Sequence, residues 1–298
     1  MLAAVGFSAK AILVKLAYLD TPDAITLLAL RMAFSMPFFI GIALWARLRQ
    51  AAPLSRHDRV LVLVLGLVGY YLSSFLDFLG LQYISAGLER LILFLYPTMT
   101  VLLSALIYKR PIGRQVVLAM ILCYSGITLV FLHNVELQQD GILLGASLVF
   151  ASTLSYSVYL VGAGHAIVRI GTTRFTAYAM CVASLASLLQ FAVMRPLSAL
   201  HLPLQVFELA LAMAIFSTVL PVFMLSYAIR RIGSGSASLI GSIGPISTIY
   251  MAYVFLGEQI SLMQIAGSLL VLGGVLMISI GSKGEKPRVD AVQATIES

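Results

Sequence analysis

Residues 85–108 read SAGLERLILFLYPTMTVLLSALIY, and 148 positions later residues 233–256 read GSGSASLIGSIGPISTIYMAYVFL. Each run has a glycine at its third position (Gly87, Gly235) and carries a proline near its middle (Pro97, Pro245). Each is long enough to span a bilayer core, which takes roughly 20 apolar residues at about 1.5 Å rise per residue. Further pairs keep the same offset without a gap: Phe75 with Phe223, Ile84 with Ile232, Ile112 with Ile260, Gly126 with Gly274. A fixed offset between glycines and prolines marks an internal repeat.

Working outward, apolar runs lie near 2–19, 24–46, 60–82, 86–107, 114–132, 141–161, 173–194, 206–229, 235–256 and 261–281. The expected fold is therefore an all-α integral membrane protein of ten transmembrane helices in two five-helix repeats. An odd number of spans per repeat inverts the second copy, a common build for secondary transporters with a site near mid-depth. The expected division is 1–133 and 134–281, with a polar, disordered cytoplasmic tail at 282–298. A β-barrel is disfavoured, because runs such as Val60–Val68 are apolar on nearly every side instead of alternating.

Composition supports the bilayer as solvent. The chain is 60% hydrophobic and only 10% charged, where a soluble domain carries roughly 25% charged residues. Its net charge of +7 is a topology signal and not a nucleic-acid footprint. Fourteen basic residues flank alternate breaks, from Arg47 and Arg49 through Lys109 and Arg110 to Lys283 and Arg288. The opposite breaks hold Arg195 as their one Lys or Arg, beside Asp20, Asp23, Glu136, Asp140 and Glu258. Basic loops stay cytoplasmic, so both termini are expected inside, in a bacterial inner membrane. No separate signal peptide is expected. Met1 already opens the first span without a charged lead-in, and the expectation is a natural start a few residues upstream. Cys123 and Cys181 fall in separate spans and read as packing residues.

With these residues in view, the chain resembles the EamA-type drug/metabolite transporters. Thr26–Phe38 (TLLALRMAFSMPF) resembles that family's arginine-bearing second helix, and residues 85–108 and 234–260 resemble its fourth and ninth. Phe255–Gln259 (FLGEQ) resembles its Gly-Glu signature, whereas the first half carries Lys109–Arg110 at the matching place. The resemblance implies a ten-helix inverted-repeat carrier whose core is helices 3, 4, 8 and 9, with helices 1 and 6 contributing. It also implies export of amino acids, other metabolites, nucleotide derivatives or toxic compounds.

Ionisable residues inside spans are costly and read as functional by default. They are Lys10, Lys15, Arg31, Asp77, Glu89 and Arg90, all in the first half. Five share one layer in the outer half, expected to act as a gate with Asp77 and Arg90 as its pair. Snorkelling of the long basic side chains to the interface is the alternative. Asp77 or Glu89 could instead carry a coupled proton. Lys10 lies deeper and is the candidate contact for a substrate carboxylate or phosphate, or else it is satisfied by helix-end carbonyls or by Glu89. Tyr96 and Tyr250, near the prolines, are candidate substrate contacts, and Pro97 and Pro245 are candidate hinges.

The expected function is a secondary transporter of a small organic metabolite, with a carboxylate-bearing solute favoured. A broad-specificity drug efflux carrier is the alternative. The expected partners are that solute and the lipid bilayer, with no nucleic acid, cofactor or metal. No HExxH, paired-cysteine, nucleophile-elbow or GxxxxGK[ST] pattern appears, which argues against an enzyme. Nothing resembles a repeated channel filter.

Overall fold

The computed structural model describes residues 2–21, 23–49, 53–109, 111–136, 140–224 and 243–281. Among them every regular element is helical. The helices are α1 (Leu2–Ala17), α2 (Ala24–Arg49), α3 (Arg56–Gly80), α4 (Ala86–Tyr108) and α5 (Arg114–Glu136). They continue with α6 (Ile142–Ile170), α7 (Thr172–Met194), α8 (Leu204–Met224), α9 (Ile243–Leu256) and α10 (Leu262–Gly281). Seven of them, α2 to α8, are long and apolar enough to cross a membrane, and α9 and α10 are shorter apolar helices. Ile232 and Gly235 of the repeat, Arg230, Arg231 and the tail 282–298 lie outside the described residues.

Two ends differ from the sequence expectation. α3 begins at Arg56, ahead of the apolar run, because the Ser55 hydroxyl caps it by accepting the Asp58 N–H at 3.0 Å. α6 continues past 161 to Ile170, because Ala163, Ala166 and Ile170 stay buried in one cluster with Val62 and Leu65 of α3. It ends where Gly171 takes a positive φ of 86°.

Three helices depart from a regular α-helix inside the bundle. α3 widens into a π-turn at Leu67–Leu72, and α8 does so at Ile215–Val219, the same place at the offset of 148. α4 is interrupted at Phe94–Leu95, between Ala86–Leu93 and Tyr96–Tyr108. Pro97 has no N–H to give the Leu93 carbonyl, and its ring crowds that carbonyl, so the helix breaks one turn before it.

The helices pack pairwise. α5 lies along α10 and α2 along α7. α1 packs on α8 and α9, while α6 packs on α3 and α4. The α5–α10 contact is close because its crossing residues are small. A Cβ on Gly126 would lie 2.5 Å from the Gly267 carbonyl oxygen, and one on Gly274 would lie 2.5 Å from that of Ala119. Both obstacles are backbone, which no side-chain rotation relieves.

Lys109 and Gly257 end α4 and α9 in the same left-handed conformation, with φ of 50° and 67°. A lysine there meets the Cβ crowding that glycine avoids, at a cost of roughly 1–2 kcal/mol. Lys109→Gly should raise the thermal midpoint in detergent, and Gly257→Ala should lower it. Gly126→Ala should cost about 1–3 kcal/mol through overpacking, whereas Gly273→Ala, with no atom within 4 Å of its Cβ, should not destabilise. Equal melting of the Gly126 and Gly273 variants would contradict the close α5–α10 crossing.

Candidate functional site

The charged residues of the first half converge at one end of the bundle. This is the end where α1 turns into α2, α3 into α4 and α9 into α10. The Tyr18 hydroxyl donates to the Phe78 carbonyl at 2.7 Å there, joining α1 to α3. Lys10 projects from α1 among buried Ser8, Ala11 and Ile12. Its ammonium donates to the Asp77 carboxylate on α3 and lies 3.1 Å from Glu89 Oε1 on α4. Glu89 is fully buried, and Asp77 is 2% exposed.

Lys10 is therefore shared by two buried carboxylates. Among the described residues, Asp77 Oδ1 and Glu89 Oε2 have no hydrogen-bond donor. Removing one partner from such a pair typically costs 3–5 kcal/mol, because an uncompensated charge stays buried.

The other cations do not fill that role. Arg31 of α2 is buried, with Nε 3.1 Å from the Thr218 hydroxyl in the α8 π-turn and its guanidinium over the Phe78 ring. Lys15 lies within electrostatic reach of Glu258 and Glu89. The expected Asp77–Arg90 pair does not form. Arg90 follows Glu89, so it projects about 100° further around α4, against Gly244 of α9. Its Nη2 stands 2.6 Å from where a Gly244 Cβ would be. Among the described residues it makes no ion pair.

On the α9 side, the Ser8 hydroxyl donates to the Gly244 carbonyl at 2.8 Å. Thr248 is fully buried beside it. Tyr250 lies two residues on, about 200° around the helix, and is 65% exposed. The two tyrosines expected as substrate contacts thus stand in different surroundings. Tyr96 instead belongs to an aromatic layer deeper in the bundle. Its ring centroid is 5.8 Å from that of Tyr156, which stacks on Tyr159 at 5.6 Å. The Tyr159 and Tyr70 hydroxyls meet at 2.9 Å. Pro97 borders the α4 interruption, and Pro245 lies in the first turn of the described part of α9.

Glu258, read from the sequence as part of a signature and as an acidic residue of the outer breaks, caps the start of α4. Its carboxylate accepts the Ala86 N–H at 2.9 Å and the Gly87 N–H at 3.3 Å. Thr218 was also not singled out, because a lone threonine in an apolar run carries no signal. A separate apolar cleft of about 460 Å³ opens on the flank between α2, α7 and α8, lined by Pro37, Phe38, Ile42, Trp45 and Phe223.

The geometry agrees with what the sequence is similar to. The EamA-like transporter family matches residues 1–132 and 143–280. The chain belongs to that family. The transporter is 30% identical over 293 residues to an uncharacterized transporter of Bacillus subtilis (strain 168), YcbK, covering 96% of this chain and 92% of the relative. A second Bacillus subtilis transporter, YyaM, is 28% identical over 228 residues, covering 75% and 74%. A crystal structure of another protein matches with a TM-score of 0.61 at 18% identity, over 94% of this chain and 98% of that one, a likeness of fold alone. The family and these names make this a multi-pass membrane transporter.

At the same end, Asp23 precedes α2 and receives two hydrogen bonds from Arg195 after α7, at 2.8 and 2.9 Å. Partial burial would raise its pKa, but the Arg195 and Thr26 side-chain bonds outweigh it and hold it below the usual 3.8. A lowered carboxyl pKa adds stability that is complete above the unfolded value and lost as pH falls through the folded one. The thermal midpoint of Asp23→Asn should therefore fall below wild type at pH 7, with the gap closing below about pH 3.8. A gap unchanged from pH 7 to pH 3 would contradict this pair.

Proposed function

We propose that this transporter exports a small organic metabolite bearing a carboxylate, by alternating access, across a bacterial cytoplasmic membrane. The observation that carries this reading is the Lys10 ammonium held between Asp77 and Glu89 at one buried end of the bundle. That end faces outward in this reading, because the basic breaks gather at the other. Ten spans form two inverted repeats, 1–133 and 134–281. The reading draws support from the π-turns at matching positions, and from the way α1 on α8 and α9 mirrors α6 on α3 and α4.

In this mechanism the outer end is closed while Lys10 ties α1 to α3 and α4. A substrate carboxylate arriving from inside competes with Asp77 and Glu89 for the ammonium. The displaced carboxylates then take a proton, which keeps the buried charge balanced and couples proton movement to the solute. Arg90 offers a second cation toward the α1–α9 contact. Tyr96 and Tyr156 form an aromatic wall on the inner side, and the Phe94–Leu95 interruption lets the outer part of α4 tilt. The apolar flank cleft favours a second reading, efflux of lipophilic compounds that enter from the bilayer.

Metabolite profiling of medium and cytosol from cells overproducing the transporter tests both. The expected result is one carboxylate-bearing solute accumulating outside with wild type and not with Lys10→Ala. Equal export by both would remove Lys10 from substrate binding, and export of only lipophilic compounds would favour the second reading. Saturable counterflow in proteoliposomes separates a carrier from a channel.

A further inference from the structure

We infer that Glu258 is a positioning residue of the transport cycle, a latch that holds the first segment of α4 in the outward-closed arrangement; this rests on the alternating-access reading above. The first segment, Ala86–Leu93, is set off from the rest of α4 by the interruption at Phe94–Leu95. It is only eight residues long, too short to hold itself as an isolated helix, for which about 12–15 residues are marginal. Its place is fixed from outside, by packing of its buried face on α1, α6 and α9 and by Glu258 at its start.

A helix start leaves four N–H groups without intrahelical partners. Here the Leu88 N–H is taken by the Ser85 hydroxyl at 3.2 Å, and the Glu89 N–H makes the first intrahelical bond, to the Ser85 carbonyl at 3.0 Å. Two more of the four, on Ala86 and Gly87, both go to Glu258, which comes from the α9–α10 connection. The contact therefore spans more than 170 residues of chain and joins the two halves of the protein. It is charge-assisted, with a carboxylate at the positive end of a helix. Gln264 of α10 lies against Gly87, whose missing side chain makes the room for it.

The latch and the Lys10 cluster act on the same short segment. Glu89 lies one turn into it, and Lys15 of α1 is within electrostatic reach of both Glu258 and Glu89. Opening this end requires both to let go. The hold is one-sided by residue type. At the offset of 148 the first half carries Arg110 where the second carries Glu258, and Ser234 and Gly235 stand opposite Ala86 and Gly87. Arg110, Ser234 and Gly235 lie outside the described residues, but a guanidinium has no acceptor for an N–H. Among the described residues the carboxylate latch is seen at this end, and it biases the resting state toward closure there.

The test uses single reporter cysteines in a Cys123→Ser, Cys181→Ser background. Thr248→Cys reports the Glu258 end, about 12 Å below Leu256 along α9. Ser157→Cys, fully buried in α6, reports the opposite end. Each is labelled with a membrane-impermeant thiol reagent, in intact cells and in inside-out vesicles, with and without Glu258→Gln or Glu258→Ala. The expected result is a rise of about five- to tenfold in outside labelling at position 248 for Glu258→Ala, the scale of about one net hydrogen bond, because water takes up the freed N–H groups once the end opens. Glu258→Gln, which keeps an acceptor and loses the charge, should give a smaller rise. Labelling at position 157 from inside should fall in step. A rise at both positions means that Glu258 only stabilises the fold, and no change at either means that it holds nothing; each result overturns the latch. Counterflow by the wild type is scored separately, so a failed transport reading is not confused with a failed latch.

Discussion

A single ammonium surrounded by two buried carboxylates sets the terms for the rest of this molecule. Lys10, Asp77 and Glu89 come from three different helices and have almost no water to share their charge. In such surroundings an ion pair is favourable only while its geometry holds, and a lost partner is costly. In the alternating-access mechanism proposed above, this end is closed with the lysine in place, and opening it requires the charges to be resolved by water, a proton or a ligand. The rigid parts support it: α5 and α10 cross at backbone distance, and α3, α4 and α8 carry the irregular turns next to the charges.

Much of this was legible in the sequence, for physical reasons. Apolar runs of bilayer length between basic breaks require membrane helices, and ionisable residues inside them stand out against so apolar a background. Of the six charged candidates, Lys10, Asp77 and Glu89 meet one another, Arg31 meets a hydroxyl and a ring beside them, and Lys15 lies within electrostatic reach of Glu89 and Glu258. What was not legible is which partner each one takes. Asp77 and Arg90 are close along the chain, but rotation around α4 turns Arg90 toward α9 and leaves Asp77 to Lys10, which arrives from a distant α1. Tyr250 illustrates the same limit, since an aromatic next to a proline faces either the core or the lipid depending on helical phase. Periodicity is weak evidence for phase when nearly every position is apolar.

The two halves are alike in backbone and unlike in chemistry. The left-handed turn at Lys109 and Gly257 occurs at the same place in both, yet one is followed by arginine and the other by the glutamate that caps α4. Tyr96 falls at the place of Gly244, and Tyr156 at that of Ser8. One side of the molecule thus has an aromatic contact where the other has a small one that admits Arg90. Equivalent backbones keep the two alternative packings close in energy, and unequal side chains decide which is preferred.

If the Lys10 cluster keeps one end closed while the opposite end is free to open, loss of its charge changes the two ends in opposite senses. Hydrogen–deuterium exchange of the wild-type transporter and Lys10→Gln in lipid nanodiscs reads both ends without added substrate. Faster exchange is expected across residues 81–93 in the variant, and slower exchange at the opposite end, around 54–59 and 111–114. Faster exchange at both ends, or no change at 81–93, would contradict it.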